Sequence, residues 1–255
     1  MTVITADDLG LCREIDDGIC ELHDRGVVGR ASLLVNGQTF DAAVAAVKAR
    51  PSLEVALHLN LTDGAPVLPP EQVPSLVGRD GRFRGGRHYG IVAALATGRM
   101  RTDEVYREWR AQAQRAMDAG VTIAELNAHG HLHLLPQVHD VVARLQRECG
   151  VPHVRLVRSR EWPKGRALAL CSTMLARRLA SAGVDTSRPV RTLGLKHSGT
   201  VDPSIDLAAL AAETTRATEL IVHPARAANP YHDAWGYDGP AVFAWLLTAA
   251  GRFAA

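Results

Sequence analysis

Three of the eleven histidines in this chain, His129, His131 and His133, lie in one short run, Asn127-Ala128-His129-Gly130-His131-Leu132-His133-Leu134-Leu135-Pro136. Imidazole is the commonest metal ligand among side chains. At every-second spacing in an extended strand, the three rings would project to one face. Gly130 argues against a helix here, while Pro136 followed by Val138, Val141, Val142 and Leu145 reads as the start of the next one. The row is therefore expected at the C-terminal end of a strand, where β/α folds collect catalytic residues. A solvated, histidine-rich strand end is the plainer alternative, and the rest of the chain has to decide between them.

Three other places carry comparable chemistry: the pair Asp7-Asp8, His58, and His223 before Pro224. Two histidines and one carboxylate are a standard ligand set for zinc or another transition metal, with positions left open for water and substrate. Adjacent aspartates can divide the work, one binding the cation and the other serving as general base.

The elements that must position these residues follow from pattern. Val3 to Ala6 is a short apolar run ending at the aspartates, and it reads as a buried first strand. Helical spacing from Glu14 to Arg25 stops at Gly26. Ala31 to Val35 is a second strand, Phe40 to Arg50 a helix closed by Pro51, and Leu53 to Leu61 an alternating third strand with His58 near its end. The pattern then breaks into Pro, Gly and Arg. A loop insertion at about residues 62–102 is expected over the site, and its basic stretch from Arg79 to His88 could act as a lid. Helices are expected at Asp103 to Ala119, Gln137 to Glu148, Ala167 to Ala182, Leu207 to Glu213 and Asp238 to Gly251. Strands are expected at Ile123 to His129, His153 to Val157, Val190 to Leu195 and Thr218 to Val222. Trp109, mid-helix, is expected in the core. Strands alternating with helices imply a parallel sheet, and about seven such units suggest one distorted, TIM-like β/α barrel over residues 1–255. A doubly wound open sheet is the alternative. A parallel barrel would bring all four chemical positions to one rim.

Composition narrows the class. The chain has 255 residues, 47% hydrophobic and 22% charged, with a formal net charge of +2, which suits one large globular domain and gives no footprint for nucleic acid. No run of about 18 apolar residues is present to span a membrane. The N-terminus does not read as a signal peptide. Cys12, Cys20, Cys149 and Cys171 are scattered, with the spacing of neither a disulfide framework nor a thiolate zinc site. A reduced, cytoplasmic protein is the default expectation, and a homodimer the commonest soluble oligomer.

At this point the residues resemble a known family. Ala6-Asp7-Asp8-x-Gly10, Leu57-His58-Leu59-x-Leu61, His129-x-His131-x-His133-x-x-Pro136 and His223-Pro224, in that order, are similar to the YdjC-like carbohydrate deacetylases. The runs Ala31 to Gly37 and Gly64-x-Pro66-Val67 fit as well, and Asn127-Ala128-His129 leans toward the hopanoid-biosynthesis branch. Leu9, where many members have Phe, and Gly130, where chitooligosaccharide members can have histidine, depart from the pattern. The resemblance implies a β/α-barrel hydrolase that removes N-acetyl groups from amino sugars or glycoconjugates. It implies one divalent cation, Zn²⁺ foremost and Mg²⁺ as the alternative, on Asp8, His58 and His129. It also implies Asp7 as general base and His223 as the acid that protonates the leaving amine. His131 and His133 are expected either to support the ligands from behind or to contact the substrate, and Arg155, Tyr231 and Trp235 are expected around the substrate, with Arg155 binding a sugar hydroxyl or orienting a carboxylate. The ligand set alone leaves open another amide, a phosphate ester, or a carbohydrate-binding protein without turnover.

Overall fold

The computed structural model describes residues 2–84, 88–159, 163–184, 186 and 191–253. Within them, seven strands form one parallel sheet: β1 (Thr2–Leu9), β2 (Arg30–Leu33), β3 (Glu54–Leu59), β4 (Glu125–Ala128), β5 (His153–Val154), β6 (Arg191–Leu193) and β7 (Thr218–Val222). Their order is β5-β4-β3-β2-β1-β7-β6, so the chain winds outward from β1 in one direction and returns on its other side. The two edge strands come close beyond β5. The Thr192 N–H donates to the Arg158 carbonyl at 3.1 Å, and the Arg158 N–H donates to the Thr192 hydroxyl at 2.9 Å. The sheet therefore curls into the expected distorted barrel rather than staying open.

Helices α1 (Arg13–Asp24), α2 (Phe40–Lys48), α3 (His88–Ala96), α4 (Thr102–Asp118), α5 (His139–Cys149), α6 (Pro163–Ala180), α7 (Leu207–Ala212), α8 (Pro230–Trp235) and α9 (Gly239–Leu247) surround it. Alternation along the strands decides what meets them. Ile4 and Ala6, Ala31 and Leu33, Val55 and Leu57, Leu126 and Ala128, and Leu220 and Val222 are buried in the apolar layer between sheet and helices. Trp109 is buried there too, as expected. Among the described residues, no helix is long and apolar enough to cross a membrane.

Residues 62–84 and 88–102 are more ordered than the expected loop. They hold a one-turn helix at Pro70–Gln72, a bridge between Val77 and Phe83, and α3. One stripe of α4 clamps their front portion. Glu108 accepts from the Val67 and Leu68 N–H groups at 2.9 and 3.1 Å, Glu104 from Ser75 N–H at 2.7 Å, and Gln112 from Asn60 N–H at 2.9 Å. Spaced four apart, these three side chains share one helix face. Residues 85–87 of the proposed basic lid, and Val190 of the expected sixth strand, lie outside the described residues.

Candidate metal centre

Asp7 and Asp8 are neighbours, and in a regular strand they would point to opposite faces. They do not. The β1–β2 register shifts between Ala6 and Leu9, and Asp8 takes φ 76° in the left-handed region. Asp is among the residues that tolerate that region. Gly10, at φ 91°, completes the turn where a Cβ would meet the Leu34 carbonyl oxygen at 2.7 Å. The irregularity rotates Asp8 onto the same side as Asp7.

The two carboxylates then keep different company. Both Asp7 oxygens face Arg155, Oδ2 to Nη1 at 2.8 Å and Oδ1 to Nη2 at 3.0 Å, and the Ser32 hydroxyl donates to Oδ1. Burial alone would raise the Asp7 pKa; the charge of Arg155, with smaller help from His58 and His223, holds it well below the usual carboxylate range. Asp8 is fully buried and meets imidazoles. Its Oδ1 lies 2.8 Å from His129 Nδ1 and 3.3 Å from His58 Nε2, while His223 Nε2 is 4.0 Å from Oδ2. Asp8 Oδ2 has no hydrogen-bond partner among the described residues. Burial again pushes the pKa up, and His129 and His58 pull it well below normal. The reciprocal effect raises His129 to about 9, against its own burial.

Asp8, His58 and His129 each offer a ligand atom, all within 4.8 Å of one another and all buried. A buried carboxylate whose Oδ2 has no hydrogen-bond partner among the described residues, set beside two convergent imidazoles, fits a divalent cation. The remaining nitrogen of His58 is held by the Asn127 side chain at 2.6 Å, the usual way a ligating imidazole is oriented.

The histidine row is not what its spacing suggested. β4 ends at Ala128, and His129 to Leu134 form two tight turns joined across a kink at left-handed Gly130 (φ 62°) and His131 (φ 59°). The period-2 argument fails because the strand stops before it applies, and the three rings take separate directions. His129 joins the cluster. His133 is 0% exposed and bonded through Nε2 to the Arg155 carbonyl at 2.9 Å, so it has no surface to offer a substrate. Burial lowers its pKa to about 3. His131 stays half-buried, its ring centroid 6.4 Å from that of His133, and burial holds its pKa well below the imidazole norm.

Arg155 is also corrected as a substrate contact. It is 0% exposed and lies beneath the cluster, so of the two expected roles only orienting a carboxylate is sterically open. Besides Asp7 it meets Glu219 at 3.2 Å and Glu125 at 3.4 Å, and Arg30 reaches Glu125 at 3.0 Å. Burial, then Glu219, pushes Glu125 up to about 7, with Arg30 and Arg155 opposing. Sequence reading missed Glu125, Asn127, Glu219 and Ser32. Period 2 could have found three of them: Asn127 and Glu125 lie two and four residues before His129, and Glu219 four before His223, on one strand face.

His223 follows the end of β7 as expected, and burial lowers its pKa. Its ring lies 5.0 Å from that of Tyr237. Tyr231 and Trp235 belong to α8. Asn229 caps that helix by accepting from His232 N–H at 3.0 Å, and Pro230 starts its first turn. Half-buried Trp235 stands 4.8 Å from the His129 ring and 5.9 Å from Tyr231, giving the cluster an aromatic rim.

A protein of Brevibacillus brevis named carbohydrate deacetylase is 39% identical over 150 residues, covering 59% of this chain and 57% of that protein. One of Mus musculus with the same name is 36% identical over 176 residues, covering 68% and 54%. The matched segments thus span little more than half the length of those relatives. A crystal structure from Enterococcus faecalis V583, described as a proposed cellobiose-phosphate cleavage protein, shares the fold at TM-score 0.74 and 24% identity, over 99% of this chain and 91% of that one. The family model of YdjC-like proteins matches residues 2–248, nearly the whole chain and a span that includes all four motifs, and the protein belongs to that family.

Proposed function

We propose that this protein is a metal-dependent carbohydrate N-deacetylase, a hydrolase of the amide bond between an acetyl group and an amino sugar or glycoconjugate. One observation carries the reading: two adjacent buried carboxylates, one neutralised by Arg155 and the other surrounded by imidazoles. Asp8, His58 and His129 would hold a single divalent cation, Zn²⁺ foremost by donor type and Mg²⁺ as the alternative. When bound, that cation supplies the Lewis acid that polarises the acyl carbonyl and acidifies a water.

The residues of the chain do the rest. Asp7 stays ionised throughout the working pH range, and its low pKa makes it a base only toward an already acidified water. Its Oδ1 accepts from Arg155 and Ser32, so the proton goes to Oδ2, which accepts from Arg155 alone among the described residues. His223, in its protonated form, delivers a proton from Nε2 to the departing amine and returns to the neutral ring. Its burial favours the neutral ring and so favours that release. Trp235 and Tyr231 offer faces against which a sugar ring can pack, and half-exposed His131 offers a polar contact.

The test is acetate release from chitooligosaccharides, N-acetylglucosaminyl lipids and other N-acetylated sugars, with added Zn²⁺ and again with a chelator. Chelator-sensitive release is expected from one class; a metal-loaded protein that releases acetate from none would overturn the reading. Asp7→Asn should keep the bound metal and slow turnover by roughly 100-fold or more, the scale of a lost general base.

A further inference from the structure

A chain of hydrogen bonds joins the cation ligand His58 to the base Asp7 through Asn127 and Ser32. Asn127 is fully buried, and its amide meets its neighbours in two orientations that are not equally satisfied: with Oδ1 on His58, that oxygen also lies 3.2 Å from the Leu57 carbonyl oxygen, and Nδ2 lies 3.1 and 3.2 Å from the Arg155 donors Nη2 and Nη1. In one, Oδ1 faces His58 Nδ1 at 2.6 Å, and Nδ2 donates to Ser32 Oγ at 2.9 Å and to Glu125 Oε1 at 3.4 Å. In the other, Nδ2 donates to His58 Nδ1 at 2.6 Å and to the Leu57 carbonyl at 3.2 Å. Oδ1 then accepts from Ser32 Oγ at 2.9 Å and from Arg155 Nη2 and Nη1 at 3.1 and 3.2 Å.

A neutral imidazole has one donor nitrogen and one acceptor. His58 can present the Nε2 lone pair to a cation only when Nδ1 carries the proton, and the atom 2.6 Å away must then be oxygen. That places Nδ2 on Ser32 and leaves the single Ser32 proton for Asp7 Oδ1. Without a cation the reverse orientation satisfies more atoms. His58 Nε2–H points at Asp8 Oδ1, 3.3 Å away, Arg155 gains an acceptor, and Asn127 Oδ1 competes with Asp7 for the Ser32 proton.

The geometry points to Asn127 as a positioning residue whose amide orientation couples cation loading at His58 to the hydrogen bond that Ser32 gives Asp7. The inference rests on the metal-dependent reading above. Loading turns the amide, and the turn leaves the base held by Ser32 as well as by Arg155.

Two replacements separate coupling from simple support. Asn127→Asp accepts from His58 Nδ1–H with no need to turn, yet its second oxygen takes the Ser32 proton from Asp7. Asn127→Ala removes both partners. The full-length chain and both variants are titrated with Zn²⁺ against a competing chromophoric chelator, and wild-type His58 is followed by ¹⁵N NMR in the cation-free and Zn²⁺-loaded states, its signal identified by loss in His58→Gln. Expected are a change of His58 from the Nε2–H to the Nδ1–H tautomer on loading, Zn²⁺ affinity at least equal to wild type in Asn127→Asp, and a 10–100-fold loss in Asn127→Ala. Turnover of Zn²⁺-saturated Asn127→Asp should fall about tenfold or more although its affinity holds. An Nδ1–H tautomer in both wild-type states, or equal weakening of Zn²⁺ binding by both variants, overturns the coupling while leaving the deacetylase reading intact. A wild-type chain that binds no Zn²⁺ overturns both.

Discussion

Along β1, Ile4 and Ala6 lie in the apolar layer under the helices, while Thr5 and Asp7, one residue away, bond to Glu219 and Arg155 inside the barrel. The same division runs round the sheet. Outside are Leu33, Leu57, Leu126 and Leu220; inside are Ser32, His58, Glu125, Asn127, Arg155 and Glu219. A TIM-type barrel usually fills its interior with Val, Ile and Leu. Here the interior is a network of buried charges. Apolar burial of the outer layer stabilises the fold by roughly 25 cal/mol per Å² removed from water. Buried ion pairs roughly offset their own desolvation, and what they supply is orientation. The outer face therefore holds the sheet together and the inner face aims the groups at its C-terminal rim.

Paired substitutions test that separation. Asp8→Ala should abolish stoichiometric Zn²⁺ binding and reduce turnover to background while the thermal midpoint stays near wild type. Leu57→Ala, on the outer face of β3, should cost about 2–5 kcal/mol in denaturant unfolding and leave turnover of the folded protein intact. If Leu57→Ala also lost metal at equal foldedness, the two faces would not be separable.

Arg155→Met removes the cation shared by Asp7, Glu125 and Glu219 and should lower unfolding free energy by about 3–5 kcal/mol, the cost of leaving buried charge uncompensated. An unchanged urea midpoint would mean that the network does not depend on this guanidinium.

Glu125 gives the pH dependence. Its folded pKa, about 7, is raised above the usual glutamate value, so the unfolded chain releases this proton first as pH rises. Its contribution is present below about pH 4.5 and is lost as pH climbs toward 7, with a slope of at most about 1.4 kcal/mol per pH unit. Glu125→Gln should flatten the stability curve in that window; a curve parallel to wild type would remove Glu125 as its source.

The finest contrast sits on adjacent residues. Thr5→Val deletes the hydroxyl that donates to Glu219 Oε1 at 2.9 Å and should cost about 1–3 kcal/mol. Ile4→Val on the other face should cost about 0.5–1.5 kcal/mol. Both are read by denaturant unfolding at fixed pH.

Much of this was legible in the residues. Short apolar runs and one alternating stretch located the strands, Gly26 and Pro51 closed two helices, and Asp8, His58, His129 and His223 stood at predicted strand ends that the barrel brings to one rim. These features are local, set by side-chain period and backbone preference over a few residues, and the chain carries them wherever it goes. The cluster's internal arrangement was not local. His133 lost its place in the row because β4 stops at Ala128, and two left-handed residues then turn the backbone, so counting by twos no longer fixed a direction. Arg155 became the partner of Asp7 from 148 residues away because the curl of the sheet faces the strands inward. Asp8 reached the imidazole cluster only through the bulge at φ 76°, where packing against β2 sets a torsion that its sequence neighbours do not. The sequence determined which residue types could do the chemistry and which strand each rides on. Closure of the barrel decided which carboxylate meets a guanidinium and which meets imidazoles, because that depends on distances across the interior rather than on spacing along the chain.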